Sequence, residues 1–121
     1  RMEHFARTTL DGRGTVDARS DAPHVGLAME TRRDLYLLFT EALHNAVRHA
    51  SASHVQVQIE ADGQRVAFSV EDDGIGFDPK TVARGRGLRT MRRRADALGG
   101  TLAWEPRAGG GTTVCFSMRL V

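Results

Sequence analysis

The sequence predicts an α+β fold, a two-layer sandwich in which helices cover one face of a mixed, mostly antiparallel sheet. Three observations carry this. Two neighbouring runs, His54–Glu60 and Arg65–Val70, alternate apolar and polar residues around a short turn. Two other segments, residues 33–50 and 88–98, place apolar residues three and four apart. A final pair of extended runs, Thr101–Glu105 and Thr113–Leu120, closes the chain.

Taken in order, the first thirty residues are the least legible. Leu10-Asp-Gly-Arg-Gly14 reads as a turn between two short extended runs, a hairpin, unless the segment before it is the end of something longer. Asp21-Ala-Pro-His24 is a loop, and Met29 or Thr31 opens the main helix, which runs to about Ala50-Ser51. On that helix Leu35, Phe39, Ala42, Leu43, Ala46 and Ala50 cluster on one arc. Next, Val55, Val57 and Ile59 face one way in the first alternating run, and Val66, Phe68 and Val70 do so in the second. Ala61-Asp-Gly-Gln64 joins them as an antiparallel hairpin. Leu88, Met91, Ala95 and Leu98 define a second helix, stopped by Gly99-Gly100. The last two strands are joined by a turn over Pro106–Gly111.

Composition sets the outer limits. At 121 residues, with 40% apolar and 26% charged residues, the chain describes one soluble domain with a single core. No run is long and apolar enough for a membrane span, and no signal peptide is visible. The single Cys115 cannot form an internal disulfide, which fits a reducing compartment. Net charge is +2, with a pI of about 9.3. Arginines crowd residues 84–94, a pattern suited to a polyanion. No aromatic residue is interleaved there for base stacking, which makes nucleic acid the weaker option.

Four constellations carry chemistry. On the main helix Glu41, Asn45 and His49 stand four apart. At about 100° per residue such a stripe drifts only about 40° per step. A carboxylate, an amide and an imidazole beside a core-facing arc suit the floor of a polar pocket; taken alone, they suit a solvated face equally well. The second hairpin strand runs into Glu71-Asp-Asp-Gly-Ile-Gly-Phe77, a D-x-G-x-G turn from Asp72 to Gly76. Glycines such as Gly74 and Gly76 let backbone approach a ligand, and a shielded carboxylate accepts hydrogen bonds from an exocyclic amine such as adenine's. Neither a dinucleotide fingerprint nor an EF-hand fits: a third glycine and a surrounding βαβ unit are missing for the one, and the ligand register and twelfth-position Glu for the other. Third, Gly85-Arg86-Gly87-Leu88 opens the second helix, where backbone N–H groups and the helix dipole favour phosphate and Arg86 and Arg89 add charge. The short segment between Phe77 and Gly85 is suited to a lid. Fourth, Gly109-Gly-Gly-Thr-Thr113 precedes the last strand and alone is only a turn.

The order and spacing of these four motifs resemble the nucleotide-binding boxes of the GHKL ATPase superfamily, which includes DNA gyrase B, Hsp90, MutL and sensor histidine kinases. The resemblance spans residues 34–120. The phrasing EALHNAVRHA, DDGIGF, GRGLRTMRRRADALGG and GGGTTVCFSMRL is most similar to the catalytic ATP-binding (HATPase_c) domain of histidine kinases, in the branch that pairs with NarL-type response regulators. It implies a Bergerat-type sandwich and the cofactors ATP and Mg²⁺. Asn45 would bind the metal, with Glu41 organising its water or acting as a base. Arg48 and His49 would face phosphates or ribose, and Asp72 would accept the adenine amine beside Gly74 and Gly76. Gly85, Arg86, Gly87 and Leu88 would line the triphosphate, and Thr112 would support the adenine site.

Two departures stand out. Arg93 occupies a position where this branch often has glutamate. None of His4, His24, His44, His49 and His54 sits in the acidic context of a phosphoacceptor, and their spacing does not suit zinc. The resemblance therefore implies a catalytic domain that phosphorylates a histidine on its own upstream dimerisation domain, within a homodimeric parent protein. The domain would be cytoplasmic, with no membrane contact of its own, even if the parent were anchored in the inner membrane. Three rivals are an anti-sigma-factor serine kinase, a gyrase- or Hsp90-like ATPase, and a docking module with a decayed site. The second would need a long lid and a transducer domain; intact Glu41, Asn45, Asp72 and glycine pairs oppose the third.

Overall fold

A computed structural model of the chain describes residues 2–12, 14–20, 29–48, 54–62, 64–74, 86–106 and 110–119. Among these residues three helices, α1 (Met2–Leu10), α2 (Met29–Arg48) and α3 (Arg86–Ala97), accompany five strands. These are β1 (Gly14–Ser20), β2 (Val55–Ala61), β3 (Arg65–Asp72), β4 (Thr101–Pro106) and β5 (Thr112–Arg119). The strands form one sheet in the order β1-β2-β3-β5-β4. Only β1 pairs in parallel, with β2; the β2–β3, β3–β5 and β4–β5 ladders are antiparallel.

Alternation explains the layering. Val66, Phe68, Val70 and Asp72 on β3, and Thr112, Val114, Phe116 and Met118 on β5, are buried on the helix-covered face. On α2 the expected arc of Leu35, Phe39, Ala42, Leu43 and Ala46 is buried and Leu38 joins it; Ala50 lies outside the described residues. Phe39 meets Phe68 edge-on at 5.2 Å, and Phe68 lies 5.5 Å from Phe116, so one aromatic chain ties α2 through β3 to β5. Helix α3 adds Met91 and Ala95. It ends as expected, with Gly99 at a φ of +71° and the Gly100 N–H donating to the Ala95 carbonyl at 3.0 Å. In the β2–β3 turn, Asp62 Oδ1 accepts from the backbone N–H of Gln64 and of Arg65, at 2.7 and 2.8 Å.

The N-terminal hairpin is corrected. Its second arm is a strand, β1, but its first arm is helix α1. Met2, Phe5, Ala6 and Leu10 make a one-sided stripe, with Ala6 and Leu10 buried and Met2 and Phe5 packed against the core. Glu3 and Arg7 pair along the helix at 2.8 Å, and Arg7 reaches the Val16 carbonyl at 3.3 Å. Asp11-Gly12, at φ values of 46° and 85°, ends this helix. An Asp-Gly pair stops a helix as readily as it turns a hairpin, because both need positive φ.

The other sheet face carries Gln58, Ala67, Ser69, Ala103, Cys115 and Ser117, which line a shallow depression of about 250 Å³. Burial, then the charges of Glu105 and Glu71, push the Cys115 thiol above its ordinary range. Iodoacetamide at pH 8 should therefore alkylate Cys115 more slowly than a free cysteine, and Glu105→Gln should speed the reaction by raising the thiolate fraction. A thiol titration followed by mass spectrometry checks both. Among the described residues no helix is long and apolar enough to cross a membrane.

Candidate functional site

Among the described residues, the buried polar side chains are Asp72, 4% exposed, and Thr112, 3% exposed. They are register partners on β3 and β5, facing the helix layer where the sheet ends. Burying a carboxylate is costly unless it accepts hydrogen bonds, and Asp72 Oδ1 accepts the Gly74 N–H at 3.0 Å. The three adjacent acidic residues separate cleanly. Glu71 falls on the helix-free face beside Thr113. Asp73 is exposed and joins strand ends: its Oδ1 accepts the His54 N–H at 2.9 Å, and its own N–H donates to the His54 carbonyl at 3.2 Å.

Gly110 and Gly111, at φ values of 113° and 98°, bring the start of β5 against this turn. A Cβ on Gly110 would lie 3.6 Å from the Gly74 carbonyl oxygen. One on Gly111 would overlap the Asp72 carbonyl oxygen and stand 2.8 Å from its carbon. The fourth motif is therefore more than a turn, since its glycines let β5 seat directly on the D-x-G segment. Gly111→Ala combines strained φ with a backbone clash and should cost about 1–3 kcal/mol, read as a lowered denaturant midpoint.

Helix α2 supplies the second group from the same side of the sheet. Glu41 and Asn45 stand one turn apart, both half-buried beside the buried arc. Asn45 Nδ2 donates to Met91 Sδ on α3 at 3.3 Å. Spacing places Met91 on the stripe that defines the second helix, but nothing in the spacing reveals that contact. Further along the same helix pair, Arg94 approaches Asp34 at 3.9 Å, and Arg92 stacks 5.1 Å above Trp104. Arg93, the unusual residue, is exposed, as is Arg89.

The structure thus joins Asp72, Gly74 and Thr112 in one group, and places Glu41 and Asn45 on the helix above the sheet. Arg48, Arg86, Gly87 and Leu88 fall within helices, but their side chains lie outside the described part. His49, Gly76 and Gly85 lie outside it altogether, as do the segment expected to form a lid and His24. His4 is exposed on α1, and His44 packs edge-on against Phe5 at 5.5 Å. Among the described residues no three His, Cys, Asp or Glu side chains converge to hold a metal. A divalent cation held at Asn45 would meet its amide oxygen and, through water, the Glu41 carboxylate. An amide oxygen and a nearby carboxylate are the hard donors such an ion prefers, so the residues present fit it.

Comparison with known proteins gives the family and the fold. Residues 30–121 match the model of the histidine kinase-, DNA gyrase B-, and HSP90-like ATPase family. The nitrate/nitrite sensor protein NarQ of Escherichia coli is 36% identical over 116 residues, covering 92% of this chain and 20% of that protein. The signal transduction histidine-protein kinase/phosphatase UhpB of Salmonella typhimurium is 37% identical over 115 residues, covering 93% of this chain and 23% of its own length. Among solved structures, the blue-light activated histidine kinase EL346 of Erythrobacter litoralis superposes with a TM-score of 0.72 at 27% identity. It matches over 99% of this chain and 40% of its own. The chain therefore spans about a fifth of the two curated relatives.

Proposed function

The chain belongs to the histidine kinase-, DNA gyrase B-, and HSP90-like ATPase family, and from that premise we propose that it is the Mg²⁺–ATP-binding catalytic domain of a sensor histidine kinase. The observation that carries the reading is the buried Asp72–Thr112 pair, seated against Gly110-Gly111 on the side of the sheet that α2 covers. A buried carboxylate at a sheet end selects a ligand that brings its own donor, as an adenine amine does. Thr112 adds a hydroxyl at the same level. Asn45 and Glu41 then serve the phosphate end, Asn45 through its amide oxygen and Glu41 through water or as a base.

Asn45, with Glu41 through water, would hold Mg²⁺, which would supply charge neutralisation at the phosphate oxygens. The chain's own residues hold the base, fix the triphosphate and exclude water. Arg48, His49 and the Gly85–Leu88 segment, with Arg86 and Gly87, complete the phosphate side, and Gly76 completes the adenine side. Phosphoryl transfer of this kind needs mainly positioning and charge neutralisation. The acceptor is a histidine on the upstream dimerisation domain of a homodimeric parent, and the phosphoryl group passes on to a NarL-type response regulator. The domain works on the cytoplasmic side, where ATP is held. Residues 1–121 act as one unit in this reading.

Incubation with γ-labelled ATP and a purified dimerisation domain tests the proposal. Label is expected on the acceptor only when both proteins are present. Transfer to a serine-bearing antagonist instead would assign the chain to the serine-kinase alternative.

A further inference from the structure

We propose that Met91 is a positioning residue, whose thioether fixes the orientation of the Asn45 amide so that its oxygen faces the metal. This rests on the reading that Asn45 serves a nucleotide-bound Mg²⁺. The carrying observation is the 3.3 Å contact from Asn45 Nδ2 to Met91 Sδ, across 46 residues of sequence. A thioether sulfur accepts but has no hydrogen to give, so only the NH₂ end of the amide bonds to it. With Nδ2 held by sulfur, Oδ1 is the end of the amide left to meet a ligand. Among the described residues, Asn45 Oδ1 accepts no hydrogen bond. An amide free to rotate would present its NH₂ to the cation half of the time, and a donor facing a cation is repulsive. Locking one orientation removes that penalty before the metal arrives.

Burial makes the lock durable. Met91 is 0% exposed, so water does not compete for the sulfur, while Asn45 remains half-buried and able to reach a ligand. Met91 also sits on the helix opened by the Gly85-Arg86-Gly87 motif. The contact thus links the phosphate-side helix to the metal-side helix through a single sulfur atom. A leucine at this position would fill a similar volume and preserve packing, but it would offer no acceptor.

Two measurements on the 121-residue chain decide the matter. In the unliganded wild type with labelled methionine methyls, an NMR Overhauser effect is expected between the Asn45 Nδ2 protons and the Met91 methyl group. Its absence would overturn the proposal without any variant. Second, the Mg²⁺ concentration that half-saturates binding of a non-hydrolysable ATP analogue is measured by fluorescence. Met91→Leu should raise it about twofold, because only about half of the unlocked amide orientations present oxygen to the metal, with ADP affinity in EDTA unchanged. Selenomethionine, which keeps a chalcogen acceptor, should retain the wild-type value. Wild-type Mg²⁺ dependence in Met91→Leu would overturn the proposal, provided Asn45→Ala loses that dependence. If Asn45→Ala keeps it as well, the assignment of the metal to Asn45 fails first.

Discussion

Asn45→Ala is expected to weaken binding of an Mg²⁺-bound ATP analogue by about 100-fold or more, because loss of a partner that merely supports a metal ligand already costs about 10–100-fold. The melting temperature should change little. Asn45 is half-buried on the margin of α2's apolar arc, so truncation opens no large cavity. The diagnostic part is the metal dependence: nucleotide affinity in EDTA should be nearly the same in variant and wild type. A uniform loss with and without Mg²⁺ would point to direct nucleotide contact by Asn45.

The second large effect belongs to Asp72→Asn. This substitution preserves shape, and an asparagine Oδ1 still accepts the Gly74 N–H, which Asp72 accepts at 3.0 Å. The other end of the group then presents an NH₂ where the carboxylate presented an acceptor. Two donors meet, that of the amide and that of the adenine amine, and neither finds water in a site where Asp72 is 4% exposed. An unsatisfied buried pair of this kind costs about 2–3 kcal/mol, or about 30- to 150-fold in affinity. The same logic sets base preference. Guanine places an acceptor where adenine has its amine, so the wild type should bind ATP analogues well ahead of GTP analogues, and Asp72→Asn should narrow that gap. Competition against a fluorescent nucleotide measures both.

Most of the sheet is legible because period-2 burial is a local signal. Val55 and Val57, then Val66, Phe68 and Val70, alternate without a break, and the same parity carries on to Asp72 and sets it inward. Helix α1 was not legible. Nine residues with an apolar stripe broken by Arg7-Thr-Thr9 resemble an extended run, and the Asp-Gly stop that follows serves either structure. Parallel pairing of β1 with β2 is likewise beyond local sequence, since α2 stands between them. Within the candidate site, spacing singles out the Glu41–Asn45 stripe and the Asp72 turn, whereas Thr112 enters only through the resemblance. The seating of Gly111 on the Asp72 carbonyl and the contact of Met91 with Asn45 join positions 39 and 46 residues apart. Only the assembled fold brings them together.

The buried Asp72–Thr112 group and the Asn45 side of α2 are expected to act as one Mg²⁺-dependent nucleotide site. Calorimetric titration of the chain with a non-hydrolysable ATP analogue, in Mg²⁺ and in EDTA, decides this. Saturable one-to-one binding that tightens with Mg²⁺, and that loses its Mg²⁺ response in Asn45→Ala, is the expected result. No binding at millimolar nucleotide, or equal affinity with and without the metal, would rule out a shared Mg²⁺–nucleotide site.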